Sequence, residues 1–406
     1  MITIGLIKEG KLPADNRVAL TPAQCKWISN YFDDLKIIVE QSDTRCYKDE
    51  EYKRYGIDVV SDVSHCDVLI GIKEVPVNKL QSNKTYFFFS HTKKKQPHNQ
   101  KLLQTLLEKD CTLVDFECLE HEDGQRIIGF GFFAGIVGAH NGMMVYGKRT
   151  ASFELGRVYT QNSFQKLIHT YFGLKVPPIK IAVTGSGRVA HGILEIMNLL
   201  GIIEVEKEEY VEKEFAYPVY VQLKGADLYA HKEKGTYNRD HFHLFPGEYG
   251  CLFSQYTGHT DVLMNGIYWD KNLPRLFEES DIAQPDFRIQ VIADVTDDTN
   301  GSIPINLGDH PIEDPVYGVD KKTFEKTAPF LPGSVDVMAV SNLPNELPRD
   351  ASKYFGEQLI KYILPEFLKE KSTVIERATI VKKGKLTAPF YYLQDYADGK
   401  ILDSEV

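Results

Sequence analysis

Apolar residues fall in two rhythms along this chain. Short β-branched and aromatic runs at 2–7, 36–40, 68–72, 86–89 and 112–116 predict strands, and the stretches 22–31 and 99–109 carry helical spacing. Strands separated by helical stretches of this length imply crossover units and a mostly parallel sheet. A second series starts at Ile179 and continues through runs at 219–223, 262–266, 288–293 and 335–339. Between the two series, 129–139 is rich in small and aromatic residues and carries on helically past Gly142. Small residues allow close backbone approach, so this stretch predicts a tightly packed helix linking two lobes, with a helix buried inside one domain as the alternative. Beyond Pro348, apolar residues at Phe355, Leu359, Ile360, Ile363 and Leu364 predict an amphipathic helix over 351–369. The later Ile380, Val381, Tyr391 and Tyr392 are too apolar for a free tail. The pattern predicts an α/β protein of two Rossmann-like lobes with parallel sheets and a cleft between them.

Charge and cysteine content narrow the classes. The chain has 406 residues, enough for two or three domains, and a net charge of −10, which argues against a nucleic-acid surface. No run approaches the ~18 apolar residues of a membrane helix. The opening strand runs straight into Lys8 and Glu9, unlike a signal peptide. The 6 cysteines include no Cys-x-x-Cys pair, which predicts reduced thiols in a cytoplasmic protein without a metal site. His241 and His243 resemble metal ligands only superficially, lacking a spaced partner in the sequence. Oligomerisation is open.

One phosphate-loop candidate stands out. After the strand that begins near Ile179, Gly185-Ser186-Gly187-Arg188-Val189-Ala190 opens a helix, the context that distinguishes a dinucleotide fingerprint from a chance pair of glycines. Gly185 permits the tight turn, Gly187 lets backbone N–H groups approach a pyrophosphate, and Ala190 allows close helix–strand packing. The helix N-terminus adds partial positive charge. The region ~20 residues on, where an acidic ribose partner is expected, is Ile203-Glu-Val-Glu-Lys-Glu-Glu, which reads as a surface insertion. The following strand, 219–223, ends at Leu223 and Lys224 with no carboxylate, so NAD and NADP stay equally open. Gly266 and Ile267, and Asp294 and Asp298, close the ends of later strands and complete the cofactor candidates.

Charged residues also close the strands of the first lobe: Lys11 and Arg17, then Lys73 and Glu74, then His91 and Lys94. Strand ends of a parallel sheet converge on one crevice, and this one would suit a substrate with several carboxylates. Alternation along 112–117 would put Asp115 and Glu117 on one side, with Arg126 beyond.

These residues carry a resemblance. The segments Lys11-Leu-Pro-Ala-Asp-Asn-Arg17-Val-Ala-Leu-Thr-Pro22, Gly71-Ile-Lys73-Glu74-Val-Pro76 and Phe89-Ser-His91-Thr-Lys93 resemble the alanine dehydrogenase and transhydrogenase superfamily. Val114-Asp-Phe-Glu117, Asn265-Gly-Ile-Tyr-Trp269, Ala293-Asp-Val-Thr-Asp-Asp298 and Asn342-Leu-Pro-Asn-Glu-Leu-Pro348 are similar to the lysine-forming saccharopine dehydrogenases and to lysine–2-oxoglutarate reductase domains. The resemblance implies Lys73 and His91 as acid/base groups, and Lys11, Arg17, Lys94 and Arg126 as holders of substrate carboxylates. It implies Glu74 and Glu117 as tuning acids, and Asp298 falls where alanine dehydrogenases keep a catalytic aspartate. Asn342 stands where the fungal enzymes have aspartate.

The resemblance further implies a discontinuous catalytic domain, 1–129 with 346–406, around a dinucleotide domain at 130–345. The reaction it implies interconverts saccharopine with lysine plus 2-oxoglutarate using NAD or NADP. Another amino-acid dehydrogenase of the superfamily, such as alanine dehydrogenase, and a non-catalytic dinucleotide-binding regulator are the rival readings.

Overall fold

The computed structural model describes residues 1–400. The chain divides into two units, Met1–Phe130 together with the chain from Pro348 onward, and Gly131–Leu347.

In the first unit six strands, β1 (Ile2–Leu6), β2 (Leu35–Glu40), β3 (Asp58–Val60), β4 (Val68–Ile70), β5 (Thr85–Phe88) and β6 (Thr112–Asp115), pair in parallel in the spatial order β6-β5-β4-β1-β2-β3. From β1 the chain builds outward through β2 and β3, then returns to the other side of β1 for β4 to β6. The gap between β1 and β4 is thus a topological switch point, where loops after neighbouring strands diverge and leave room for ligand. The helix Pro22–Tyr31 has the bounds its pattern predicts. Thr21 caps it: its hydroxyl accepts from the Gln24 N–H at 3.3 Å, and Gln24 returns an oxygen to the Thr21 N–H at 2.9 Å. The sixth strand stops at Asp115, and Phe116–Cys118 coil into a single turn. Asp115 and Glu117 are therefore not neighbours on one strand face. Asp115 instead caps the turn, accepting from the Glu117 N–H at 2.7 Å.

The second unit repeats the principle with β7 (Lys180–Thr184), β8 (Ile203–Glu204), β9 (Val219–Leu223), an outlying hairpin of β10 (Tyr229–His231) and β11 (Tyr249–Cys251), and then β12 (Val262–Asn265), β13 (Val291–Asp294), β14 (Val316–Asp320), β15 (Lys326–Thr327) and β16 (Ser334–Ala339). The sheet runs β15-β14-β16-β13-β12-β7-β9-β8, with β14 and β15 antiparallel. Its switch point lies between β7 and β12. The acidic segment after Ile202 is no surface insertion. Ile203 and Glu204 pair with Val219 and Tyr220 as the edge strand, and Tyr210 just beyond is fully buried, its hydroxyl 3.0 Å from that of Thr260.

The small-residue helix, Gly131–Thr150, belongs to the second unit, where it crosses the helix Arg188–Leu199. A Cβ on Gly135 would lie 2.0 Å from the Val189 carbonyl oxygen, and one on Gly192 would lie 2.0 Å from that of Phe132. Two glycines therefore let the backbones touch, which explains the composition better than a linking role does.

The chain then returns to the first unit. The long helix predicted over 351–369 is instead Pro348–Gln358, a wide turn at Leu359–Ile363 and a last turn Leu364–Phe367. Pro365 has no N–H to continue the ladder and loosens the coil there. Finally β17 (Thr379–Lys382) adds antiparallel to β6, with β18 (Lys385–Leu386) beyond it.

Candidate functional site

In the first unit, the loops after β1, β4, β5 and β6 bring their charged residues together. Glu74 is the hub of one cluster: its Oε1 lies 2.7 Å from His91 Nδ1 and its Oε2 3.4 Å from Lys11 Nζ. Burial alone would raise its pKa, but the hydrogen bond and charge of His91, with Lys11, hold it down at about 2. His91 sits at φ +53°, a left-handed turn that ends β5. Because its Nδ1 faces a carboxylate, Nε2 is the nitrogen left to exchange protons. Lys73 is partly buried, and burial, reinforced by the Arg17 charge and moderated by Asp15, brings its ammonium down to about 8. An amine that titrates near neutrality can move protons, whereas an ordinary lysine stays charged.

Glu117 anchors a second cluster. Its Oε1 takes Arg126 Nη2 at 2.8 Å and lies 4.0 Å from Lys94 Nζ. Burial opposes its ionisation, yet Arg126, Lys93 and Lys94 keep its carboxyl below the usual range. Arg126 and Lys94 remain 38% and 51% exposed, so both present charge to a ligand.

Arg17 is more deeply buried than Lys11, Lys94 or Arg126. It is 3% exposed, and its Nε and Nη2 grip Asp15 at 2.9 and 2.5 Å while the guanidinium lies 4.2 Å from the Phe130 ring centroid. Two of its donors hold a carboxylate from its own loop. Glu9 was not among the sequence candidates. Its two oxygens accept the backbone N–H groups of Ile72 and Lys73 at 2.6 and 2.9 Å. Burial and the Asp15 charge push Glu9 up to about 8 against the pull of those donors.

In the second unit the loop after β7 has the shape a pyrophosphate needs. Gly185 takes φ +104°, and a Cβ there would meet the Gly266 carbonyl oxygen at 2.7 Å. Ser186 and Gly187 are exposed at the start of the helix Arg188–Leu199, a Cβ on Gly187 would meet nothing within 4 Å, and Ala190 is buried beneath. That open cradle of backbone N–H groups at a helix N-terminus fits a dinucleotide phosphate. Arg188 and Val189 are partly buried in the helix's first turn. Leu223 is buried where β9 ends and accepts the Gly185 N–H at 2.9 Å, and Gln222 Nε2 donates to the Gly185 carbonyl at 2.9 Å.

The β9 tip does carry a carboxylate, three residues beyond Lys224. Asp227 accepts from the Lys224 N–H at 3.2 Å and from Lys207 Nζ at 2.7 Å. Gly266 and Ile267 extend β12, with Ile267 accepting from the Thr296 hydroxyl at 2.7 Å. Asp298 is partly exposed in the turn after β13.

Asp294 closes β13. It is fully buried, and Asn265 and Asn306 each donate to one of its oxygens at 2.8 Å, so it joins β12 and β13 to the following loop. Burial pushes its carboxyl up to about 6 despite those bonds.

Residues 5–137 match the family of the alanine dehydrogenase/PNT N-terminal domain. Across the whole fold, a solved L-alanine dehydrogenase superposes with a TM-score of 0.65 at 15% identity, covering 98% of this chain and 100% of that one. A transhydrogenase from Sinorhizobium meliloti superposes with a TM-score of 0.58 at 14% identity, covering 96% and 100%. Among curated proteins, the mitochondrial alpha-aminoadipic semialdehyde synthase of Mus musculus is 28% identical over 95% of this chain and 47% of its own length. A saccharopine dehydrogenase (NAD+, L-lysine-forming) of Schizosaccharomyces pombe is 25% identical over 87% of this chain and 90% of that protein. The chain thus spans about half the length of the semialdehyde synthases it matches.

Outside this alanine dehydrogenase-like framework, the hairpin of the second unit gives His241 the spaced partners its sequence context lacked. His231, His241 and Glu248 bring one ligand atom each within 4.8 Å of the others, and His243 is not among them. The protonation pattern is wrong for a metal. His231 Nδ1 accepts the N–H groups of Glu233 and Lys234 at 3.1 and 3.3 Å, so the ring proton sits on Nε2, which faces Glu248 at 3.1 Å. A ligating Nε2 needs its lone pair free and the proton on Nδ1. His231 and Glu248 form a hydrogen-bonded pair, while His241 turns its Nδ1 to the Tyr249 hydroxyl at 3.2 Å. A cavity of about 770 Å³, lined by Lys148, Phe153, Arg157, Asp314 and Phe330 among others, also lies in the second unit and includes none of the residues named from sequence. Among the described residues no helix is long and apolar enough to cross a membrane.

Proposed function

We propose that this chain is an oxidoreductase that interconverts saccharopine with L-lysine plus 2-oxoglutarate, exchanging hydride with a nicotinamide dinucleotide. The observation that carries the reading is the Lys73 amine, brought down to about 8 in a strand-end cluster that also holds the His91–Glu74 pair. The saccharopine dehydrogenase relatives support the substrate assignment.

In the condensing direction the ε-amine of substrate lysine must lose a proton before it attacks the keto carbon. Lys73, neutral in part near pH 8, takes that proton. The carbinolamine then expels its oxygen as water, and His91 Nε2 supplies the proton for it, with Glu74 balancing the imidazolium through Nδ1. Arg126 and Lys94, each only partly engaged by Glu117, hold the carboxylates of the oxo acid. A bound dinucleotide would supply the hydride chemistry at the imine carbon in either direction. Gly185, Ser186 and Gly187 seat its phosphates, and Asp227 with Lys207 and Lys224 around it is where a ribose 2′-hydroxyl and a 2′-phosphate are told apart.

The test is a panel of NADH and NADPH, each with 2-oxoglutarate plus L-lysine and with pyruvate plus ammonia, followed by loss of dinucleotide absorbance. Turnover with the first pair and not the second is the expected result. Turnover with pyruvate and ammonia alone would make the chain an alanine dehydrogenase, and binding without turnover would make it a regulator.

A further inference from the structure

We propose that Glu9 is a positioning residue that sets Lys73 through the backbone, an inference that rests on the reading of Lys73 as a proton-transfer group. The strand β4 ends its ladder with β1 where Ile7 N–H donates to the Ile70 carbonyl at 3.0 Å. Beyond that point the chain after β1 turns away, and the N–H groups of Ile72 and Lys73 have no strand to pair with. The Glu9 carboxyl takes the place of the missing strand, accepting one N–H on each oxygen at 2.6 and 2.9 Å. On the opposite edge, the Ile72 carbonyl accepts the Phe89 N–H at 3.0 Å. The peptide that leads into Lys73 is thus tied to both flanking segments, and its N–H bonds on the β1 side come from one side chain.

The surroundings are shaped for that side chain. A Cβ on Gly71 would lie 3.4 Å from Glu9 Oε1, an ordinary contact, and 3.0 Å from the Ile7 side chain, so Gly71 packs directly beside the carboxyl. A Cβ on Gly10 would meet Pro76 Cγ at 2.5 Å, so the loop after β1 lies directly against the loop after β4. The chemistry also calls for a carboxyl and no other group. Both partners are N–H donors, so both atoms of the fork must accept. Glutamine has the same shape but turns an NH2 toward one of the donors. That makes Glu9→Gln a specific probe of the bridge with little change in volume.

The experiment compares Glu9→Gln alone and combined with Lys73→Met, measuring kcat, the KM for 2-oxoglutarate and the dinucleotide affinity by fluorescence titration. A displaced reacting group costs turnover steeply, about 10–100-fold in kcat. The expected result is that loss with KM changed less than about twofold, unchanged dinucleotide affinity, and no further loss when Glu9→Gln is added to Lys73→Met. Losses that add in the double variant, a wild-type kcat in Glu9→Gln, or a loss expressed in KM would each overturn the inference. Near-normal turnover in Lys73→Met alone would instead remove the proton role of Lys73, and the inference with it. If Glu9→Gln does not accumulate as folded protein, Glu9→Asp decides the question in the same two backgrounds. It keeps the carboxyl but draws it back by one methylene, out of reach of both donors at once.

Discussion

Arg17 and Asp15, two residues apart, form a two-pronged ion pair of 2.9 and 2.5 Å with both side chains almost wholly buried. Burial alone would raise the Asp15 pKa, but the charge and hydrogen bonds of Arg17 hold it at about 2. Breaking such a pair leaves a buried cation unmatched, so Asp15→Asn is expected to destabilise the protein by about 3–5 kcal/mol in urea unfolding. The pH dependence has a definite sign. A carboxyl with a folded pKa near 2 and an unfolded pKa of 3.8 contributes fully above the unfolded value, and the contribution is lost as pH falls through about 2. The variant should therefore lack that part of the acid-induced loss of stability.

Arg126 should fail in another way. Half-exposed and bound to Glu117 through Nη2, it has donors to offer a ligand, which Arg17 has largely committed to Asp15. Arg126→Met is expected to raise the KM for 2-oxoglutarate by about 10–100-fold, the worth of a charge-assisted hydrogen bond, with the thermal midpoint little changed. A variant that lost stability and kept its KM would contradict the carboxylate-binding role.

Lys73 carries the pH dependence of the reaction. With its ammonium at about 8, kcat/KM in the condensing direction should rise with pH through that value as the neutral amine appears. Lys73→Met should lower kcat by ~10²–10⁴-fold and erase that limb of the profile. A retained limb near pH 8 in the variant would assign it to another group.

The glycine loop offers a contrast within two positions. A side chain at Gly187 enters open space, so Gly187→Val should leave the thermal midpoint close to wild type and weaken dinucleotide binding about tenfold or more. Gly185→Ala must hold an L-residue at φ +104° with its Cβ 2.7 Å from the Gly266 carbonyl oxygen. It should cost roughly 1–3 kcal/mol of stability before any ligand is added. Equal stabilities of the two variants in calorimetry would show that the loop is not built as described.

Local pattern alone determined a good deal. The helix Pro22–Tyr31 was legible because its apolar residues recur at helical spacing. The strand Val219–Leu223 was legible because a β-branched run buried on both sides of a parallel sheet needs no partner to be recognised. The strand–Gly185–helix turn was legible because its chemistry lies within a few consecutive residues. The charged strand ends at Lys73, Glu74 and His91 were legible for the same reason.

Tertiary structure decided what those groups meet. That Arg17 spends its fork on Asp15, that Glu9 reaches across to Ile72 and Lys73, and that Asp294 is consumed by Asn265 and Asn306 all depend on distances between loops and strands once packed. It also made an edge strand of Ile203 and Glu204, because an open sheet edge accepts a segment whose own propensity is weak. A sequence states which residues can carry charge and which stretches can bury themselves. Whether a charge is offered to a ligand or neutralised within the protein is set by burial and by the nearest opposite charge, and both exist only after the chain has folded.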